Sequence, residues 1–119
     1  MKHTYFGFSQ KVAIEMDLNL IDLAILRYFI DFKDSGTMIM KVINEVPYYW
    51  VKHEAIRESN PILGINNNKT LSRRLQKLVD AGVLIKYLEK KNGTYTFYST
   101  GPNYKKLIDD FFRKKDQGT

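Results

Sequence analysis

The chain has 119 residues and a formal net charge of +6, with 44% hydrophobic and 27% charged residues, which is typical of one folded domain rather than a disordered segment. It contains no cysteine, which excludes disulfides, thiolate metal sites and a cysteine nucleophile. There is no signal-type apolar run at the N-terminus, and the longest apolar-rich stretch, residues 18–32, carries charges and is too short to span a bilayer. We therefore expect a single cytoplasmic domain over residues 1–119 with no membrane partner.

The positive charge is concentrated in one part of the chain. Residues 1–65 contain seven basic and eight acidic residues, and residues 107–119 contain three of each. Residues 66–106 contain nine basic and two acidic residues, a net charge of +7. A confined excess of this kind indicates an electrostatic footprint for a polyanion.

The first predicted element is a strongly apolar helix from Leu20 to Phe32. Asn19 is a suitable N-cap, and Asp22 lies in the first turn, where the helix dipole favours a carboxylate. Apolar residues occupy two faces of this helix and leave little polar surface. Such a helix is either central to the core or covered by a partner.

Two short strands and a short helix are predicted next, at Met38–Ile43, Tyr48–Val51 and His53–Ser59. The strands are rich in β-branched and aromatic residues, with Pro47 in the connection between them. Pro61 ends the short helix, because the residue before a proline is disfavoured in the α region. The apolar loop Pro61–Ile65 is expected to pack into the core.

A basic amphipathic helix lies between the N-cap candidates Asn66–Asn68 and the stop signal Gly82. Leucines at positions 71, 75 and 78 form its apolar face. The opposite face and its flanks carry polar and basic side chains: Lys69, Arg73, Gln76 and Lys77 opposite the leucines, and Thr70, Ser72 and Arg74 beside them.

A β-hairpin follows, with strands at Val83–Lys91 and Thr94–Ser99 joined by Asn92-Gly93. Asn-Gly between β-rich runs is a strong hairpin signal, because both turn residues take positive φ. A final helix is predicted at about residues 102–115, with one apolar face formed by Tyr104, Leu107, Ile108 and Phe111.

This order of elements predicts an α+β winged helix-turn-helix with about four helices, a small antiparallel sheet and a β-hairpin wing. A helix fits the major groove of B-DNA, and a two-stranded ribbon can reach a neighbouring groove or the backbone. We therefore expect duplex DNA as the partner and no enzymatic activity. The predicted DNA-binding residues are Lys69, Thr70, Ser72, Arg73, Arg74, Gln76, Lys77, Lys86, Lys90, Lys91 and Asn92. Phosphate contacts are expected from Lys69, Arg74, Lys86, Lys90 and Lys91, and base readout from Arg73, Gln76, Lys77 and Thr70.

Four runs resemble the winged-helix N-terminal domains of phage and plasmid replisome organisers and DnaD-like replication initiators of Gram-positive bacteria. They are Tyr48–Lys52, Pro61–Ile65, Leu75–Leu84 and Gly93–Tyr98. Small plasmid accessory proteins that assist conjugative transfer are similar as well. The resemblance covers roughly residues 6–108 and implies recognition of a replication or transfer origin. Replisome organisers carry a further C-terminal domain, so the sequence leaves open a piece of a longer protein or a stand-alone accessory protein.

Other functions remain open at this stage. The wing could be the main reader, the target could be a transcription control site, or the fold could dock proteins, including a replication or relaxation-complex protein. The apolar helix at 20–32 favours a homodimer, free or on DNA. Tyr48, Tyr49 and Trp50 could stack on single-stranded bases, although alternation between core and surface is expected of such a strand.

Residues for catalysis or cofactor binding are not found in the sequence. His3 and His53 have no second histidine at ligand spacing, and Asp109-Asp110 are adjacent and therefore point apart on a helix. The glycines are scattered and form no phosphate-binding loop. We expect no metal, no cofactor and no active site.

Overall fold

The computed structural model describes residues 2–36 and 38–108, so the predicted continuation of the last helix, with Phe111, lies outside the described residues. The fold is α+β with two small antiparallel sheets. In chain order the elements are β1 Thr4–Tyr5, β2 Phe8–Ser9, α1 Gln10–Glu15, α2 Leu20–Asp34, β3 Met40–Ile43, β4 Val46–Trp50, α3 His53–Ser59, a 3₁₀ turn Pro61–Leu63, α4 Asn68–Asp80, β5 Leu84–Lys90 and β6 Thr94–Thr100. Residues 104–108 are helical and are labelled α5. Within the described ranges, every helix is too short or too polar to cross a bilayer.

Helix α2 is the centre of the core. Its N-terminus forms a capping box, because the Asn19 side chain accepts from the Asp22 amide and the Asp22 carboxylate accepts from the Asn19 amide. Five of its apolar side chains are buried within the chain: Leu23, Ile25, Leu26, Phe29 and Ile30. Only Leu20 and Phe32 at its ends remain exposed among its large apolar residues. The apolar helix is therefore covered mainly by its own chain.

The larger sheet has the strand order β3-β4-β6-β5 and packs one face against α2. The Phe29 ring makes edge contacts with the rings of Tyr49 and Tyr98, at centroid distances of 6.3 and 6.4 Å. Pro47 lies within β4 rather than in the connection before it. It is tolerated because β4 pairs with β6 only at Tyr49 and Trp50, so no ladder bond to β6 is lost at the proline.

The β5–β6 hairpin has a three-residue loop instead of the expected two-residue turn. The last strand pair is Lys90 with Thr94, which leaves Lys91–Gly93 in the loop. Asn92 and Gly93 both have positive φ, as predicted. We attribute the register to the pleat, because a slip of one residue would turn the buried Leu84 away from the core.

The N-terminal segment forms structure that the sequence reasoning missed. β1 and β2 make a small hairpin, and the Ser9 side chain then caps α1 by accepting from the Val12 amide. The backbone carbonyl of His3 accepts a 2.8 Å hydrogen bond from the Gln10 amide. Helix α1 also makes the predicted number of about four helices too low.

The loop Pro61–Ile65 packs into the core only in part, so that prediction was wrong for Pro61, Ile62 and Gly64, which are exposed. Leu63 and Ile65 contact the core, whereas the Ile62 side chain is 95% exposed. In a 3₁₀ turn successive residues lie about 120° apart, so an inward Leu63 leaves Ile62 outward.

The base of the hairpin depends on a close approach between two glycines. The Gly101 amide donates to the Val83 carbonyl at 2.8 Å. A Cβ on Gly101 would overlap the carbonyl oxygen of Gly82 and lie 2.9 Å from its carbon. Both neighbours are backbone atoms and cannot rotate away.

We predict that Gly101→Ala lowers the free energy of unfolding by about 3 kcal/mol, because the added methyl forces strands and connection apart. Gly36→Ala is the matched control. No atom lies within 4 Å of its added Cβ, so only the strain of its φ of 77° remains, about 1 kcal/mol. Urea denaturation of both variants measures the difference, and equal losses would contradict the close-approach argument.

Candidate nucleic-acid interface

Helix α4 is held rigidly by its apolar face and its N-terminus. Leu71, Leu75 and Leu78 are completely buried. The Asn67 side chain caps the helix by accepting from the Thr70 amide at 2.8 Å. Gly82 follows the C-terminus with a φ of 76°, as expected of a helix stop. These features were predicted from the sequence, and the structure confirms them.

Arg57 of α3 fixes the connection that leads into α4. Its Nε donates to Asn68 Oδ1 at 3.0 Å, and its Nη1 donates to the Asn66 carbonyl at 3.3 Å. The sequence reasoning missed this role, because nothing in the spacing of residues 57 and 68 signals a contact. The angle between α3 and α4 therefore rests partly on one guanidinium.

The outward surface of α4 carries Lys69, Ser72 and Arg73, all of them exposed. Neither Lys69 nor Arg73 makes an ion pair with any described residue. Thr70 is half-buried at the edge of this surface. These positions agree with the helical-wheel prediction, and the two basic side chains are available to a ligand.

Arg74 and Lys77 differ from the prediction, because both bind the buried carboxylate of Asp22. Arg74 Nη1 donates to Asp22 Oδ1 at 3.2 Å, and Lys77 Nζ donates to Asp22 Oδ2 at 2.9 Å. Arg74 also donates to Asn19 Oδ1 at 3.2 Å. The helical wheel places Lys77 opposite the leucines, but it cannot show that α2 presents an anion to this side chain.

Gln76 and Lys86 form a link between α4 and β5. The Gln76 side chain donates to Asp80 at 2.8 Å and accepts from Lys86 Nζ. Both predicted DNA-binding residues are thus engaged within the chain, and either must exchange these bonds to contact a base or a phosphate. Their common effect is to set the hairpin against the helix.

The tip of the β5–β6 hairpin is basic and exposed. Lys90, Lys91 and Asn92 are all exposed, and neither lysine has an ion-pair partner among residues 2–36 and 38–108. Glu89 is the acidic residue of the hairpin, and it is paired with Lys41 of β3. The tip therefore adds two uncompensated positive charges to the two on α4.

Among residues 2–36 and 38–108, no group of three His, Asp or Glu side chains could hold a metal ion. Burial, with a further contribution from Arg57, lowers the pKa of His53 below its usual value. His53 is therefore uncharged at neutral pH and is not one of the cations of the interface.

No family model, no curated protein and no solved structure matches this chain. The resemblance to replisome-organiser domains therefore remains a prediction.

We predict that Asp22→Ala lowers the free energy of unfolding by about 2–3 kcal/mol, because three hydrogen bonds to a buried carboxylate are lost. The loss of stability is smaller than for a fully buried ion pair. The Arg74 and Lys77 side chains are 27% and 36% exposed, so water can solvate their charges once the carboxylate is removed. Asp31→Ala is the control on the same helix. Its pair with Arg27 is exposed, so the change is expected to stay within about 0.5 kcal/mol. Equal urea midpoints for the two variants would contradict the role assigned to Asp22.

Proposed function

We propose that the protein binds duplex DNA without catalysing a reaction, with α4 in the major groove and the β5–β6 hairpin as a wing. The observation that carries the proposal is the combination of Lys69 and Arg73, exposed and unpaired, with a helix whose opposite face is completely buried. A rigid helix that presents long donors outward meets the requirement for groove recognition. The basic hairpin tip extends the same electrostatic surface.

The order of elements supports a winged helix-turn-helix as the finer description of the fold. Helix α2 is followed by β4, α3, α4 and the β5–β6 hairpin, and β4 pairs with β6. This pairing attaches the hairpin to the strand that precedes α3. In such an arrangement α4 is the recognition helix of the helix-turn-helix.

The side-chain contacts divide the predicted DNA-binding residues into two groups. We assign base readout to Arg73, with Thr70 and Ser72 beside it, and phosphate contacts to Lys69, Lys90 and Lys91, with Asn92 at the tip. The remaining four hold α4 and the hairpin in place: Arg74, Gln76, Lys77 and Lys86.

The biological setting of the proposal is a plasmid or phage replication or transfer origin in the cytoplasm. It rests on the family resemblance described above. A transcription control site would use the same interface, and selection of binding sites from random DNA, mapped onto the source replicon, separates the two settings.

Duplex binding is expected to depend steeply on salt. Three phosphate contacts, from Lys69, Lys90 and Lys91, at about −0.9 each, give a slope of log K against log salt of about −2.7. Fluorescence anisotropy of a labelled duplex at several salt concentrations measures the slope. A flat salt dependence, or no binding at low salt, would contradict the proposal.

Two variants, Arg73→Ala and Lys90→Ala/Lys91→Ala, separate the contribution to sequence preference from the contribution to overall DNA affinity in the same assay. Arg73→Ala is expected to reduce the preference for a selected site by about 1–3 kcal/mol. The lysine pair is expected to weaken all sequences alike and to reduce the slope by about 2. Lys11→Ala removes an exposed charge from α1 and is the control. Specificity lost only in the lysine variant would make the hairpin the reader.

Self-association is a second property that one surface favours. A groove of about 590 Å³ is lined by side chains of α2, by Phe6 and by Ile62 and Leu63 of the 3₁₀ turn. Ile62 is 95% exposed, Phe6 45% and Phe32 38%. An exposed apolar side chain on the wall of an apolar groove fits the self-complementary contact of a two-fold dimer. We therefore propose a homodimer through this surface, although most of α2 needs no partner to be covered.

We expect Ile62→Asp to convert the dimer to a monomer, because the carboxylate would be buried without a counter-ion. Sedimentation equilibrium of both proteins measures the change. Ile14→Asp, at a residue 63% exposed on α1, is the control and should leave the dimer intact. If the wild-type protein is a monomer at all concentrations, with and without DNA, this interface is excluded. The groove would then be a candidate binding site for a replication or transfer protein.

A further inference from the structure

The two faces of the larger sheet are both aromatic, but only one of them belongs to the core. Tyr49 and Tyr98 face α2 and contact Phe29. The alternate residues of the same strands form a second set, which we call the ring layer: Tyr48, Trp50, Tyr87, Tyr95 and Phe97. None of the five belongs to the core cluster around α2, although Phe97 is itself buried. An antiparallel sheet with one face on the core usually presents polar residues on the other.

The rings of this layer contact one another across three strands. Tyr87 lies 6.1 Å from Tyr48 and 6.4 Å from Phe97, and Trp50 lies 5.8 Å from Tyr95. Phe97 is nearly buried among its neighbours, whereas Tyr48, Trp50 and Tyr87 are half-buried and Tyr95 is 38% exposed. The layer therefore consists of two ring clusters, which adjoin where Trp50 pairs with Phe97 across β4 and β6, and it has accessible rings at its margin.

The charges around the ring layer indicate the chemistry of its ligand. Lys86 and Lys90 alternate onto the opposite face of the sheet. The cations at the margin of the ring layer that have no ion-pair partner within the described ranges are therefore Lys52, which lines the cleft beside Trp50 and Tyr95, and Lys91 in the hairpin loop. Glu89, which lies on this face, is neutralised by Lys41, whose Nζ also lies 5.6 Å from the centre of the Tyr87 ring. Aromatic rings bordered by lysines combine stacking with attraction for a polyanion.

We propose that the ring layer binds an unpaired nucleic-acid strand, with bases stacked on Tyr95, Trp50 and their neighbours and the backbone attracted by Lys52 and Lys91 at its margin. A duplex cannot stack its bases on these rings, because its bases are stacked on each other and expose only their edges. Base stacking on aromatic side chains tolerates any sequence. The proposal is independent of the duplex contact assigned to α4.

A cleft connects the ring layer with the start of α4. It has a volume of about 220 Å³ and is lined by Trp50, Tyr95, His53 and Asn68, among others. Asn68 precedes the exposed Lys69. A strand that leaves the ring layer through this cleft would reach the basic surface of α4. If the duplex proposal also holds, the two surfaces together would fit a junction between paired and unpaired DNA.

Trp50 is the only tryptophan of the chain, so its fluorescence reports directly on the ring layer. Titration of the full chain with 15-nucleotide oligo(dT) or oligo(U) is expected to quench this fluorescence, and a 15-base-pair duplex is expected to quench it little. A stronger effect of one oligonucleotide assigns the ligand to DNA or RNA. No quenching by either, or equal quenching by the duplex, would overturn the proposal.

Affinity is then measured by the anisotropy of labelled oligo(dT), because Tyr95→Ala alters the surroundings of Trp50. Tyr95→Ala is expected to weaken binding about tenfold or more. Leu88→Ala is the matched control, since Leu88 is 47% exposed on the opposite face of the same hairpin. Equal loss in both variants would overturn the proposal.

Arg73→Ala separates this inference from the proposed function. It should keep binding to oligo(dT) while it loses preference for a selected duplex. Duplex binding that fails while quenching by oligo(dT) persists would reject the α4 proposal alone.

Discussion

The contact between Asp22 and the two cations of α4 determines how the outward surface of the protein is arranged. A completely buried carboxylate needs partners for its charge, and Arg74 and Lys77 supply them from a neighbouring helix. The same carboxylate closes the capping box of α2. The start of the central helix and the middle of α4 are thereby joined at one point. The leucines press α4 against the core, but a layer of leucines alone would permit the helix to slide or rotate.

The hairpin is oriented from both of its ends. At its base, the close approach of Gly101 to Gly82 ties β6 to the end of α4. Along β5, Lys86 reaches Gln76 of α4, and on the other face Lys41 of β3 holds Glu89. The strand order places β6 between β4 and β5, so the hairpin moves with the whole sheet. The two lysines at its tip therefore have a defined position relative to Lys69 and Arg73.

Much of this architecture was predictable because local signals agreed with the tertiary structure. The Asn19 and Asn67 caps, the leucine spacing of α4 and the positive φ at Asn92 and Gly93 all depend on neighbouring residues. Contacts between distant positions had no such signal. The sequence predicted only that the Asp22 carboxylate is stabilised by the dipole of α2. The packing of α2 against α4 also makes it the partner of two cations.

The same limit explains the hairpin register and Ile62. The Asn-Gly pair is compatible with a two-residue and a three-residue loop, and we infer that the burial of Leu84 selects between them. The apolar character of residues 61–65 suggested burial of the whole run, but two of the three residues of the 3₁₀ turn, Pro61 and Ile62, are exposed. In both cases the tertiary structure, and not the local composition, determines the outcome: the loop length in the hairpin and the exposure of residues in the 3₁₀ turn.

The division of labour along α4 has a consequence for how such a protein can change. Leu71, Leu75 and Leu78, with Arg74 and Lys77, fix the helix, whereas Lys69, Ser72 and Arg73 contribute little to the packing. Exchanges at the second set therefore cost little stability. If α4 reads DNA, the scaffold can be redirected to a new target by a few surface substitutions. The DNA target and the surface of the helix could then change together during evolution, because the intermediate variants of the protein would remain folded.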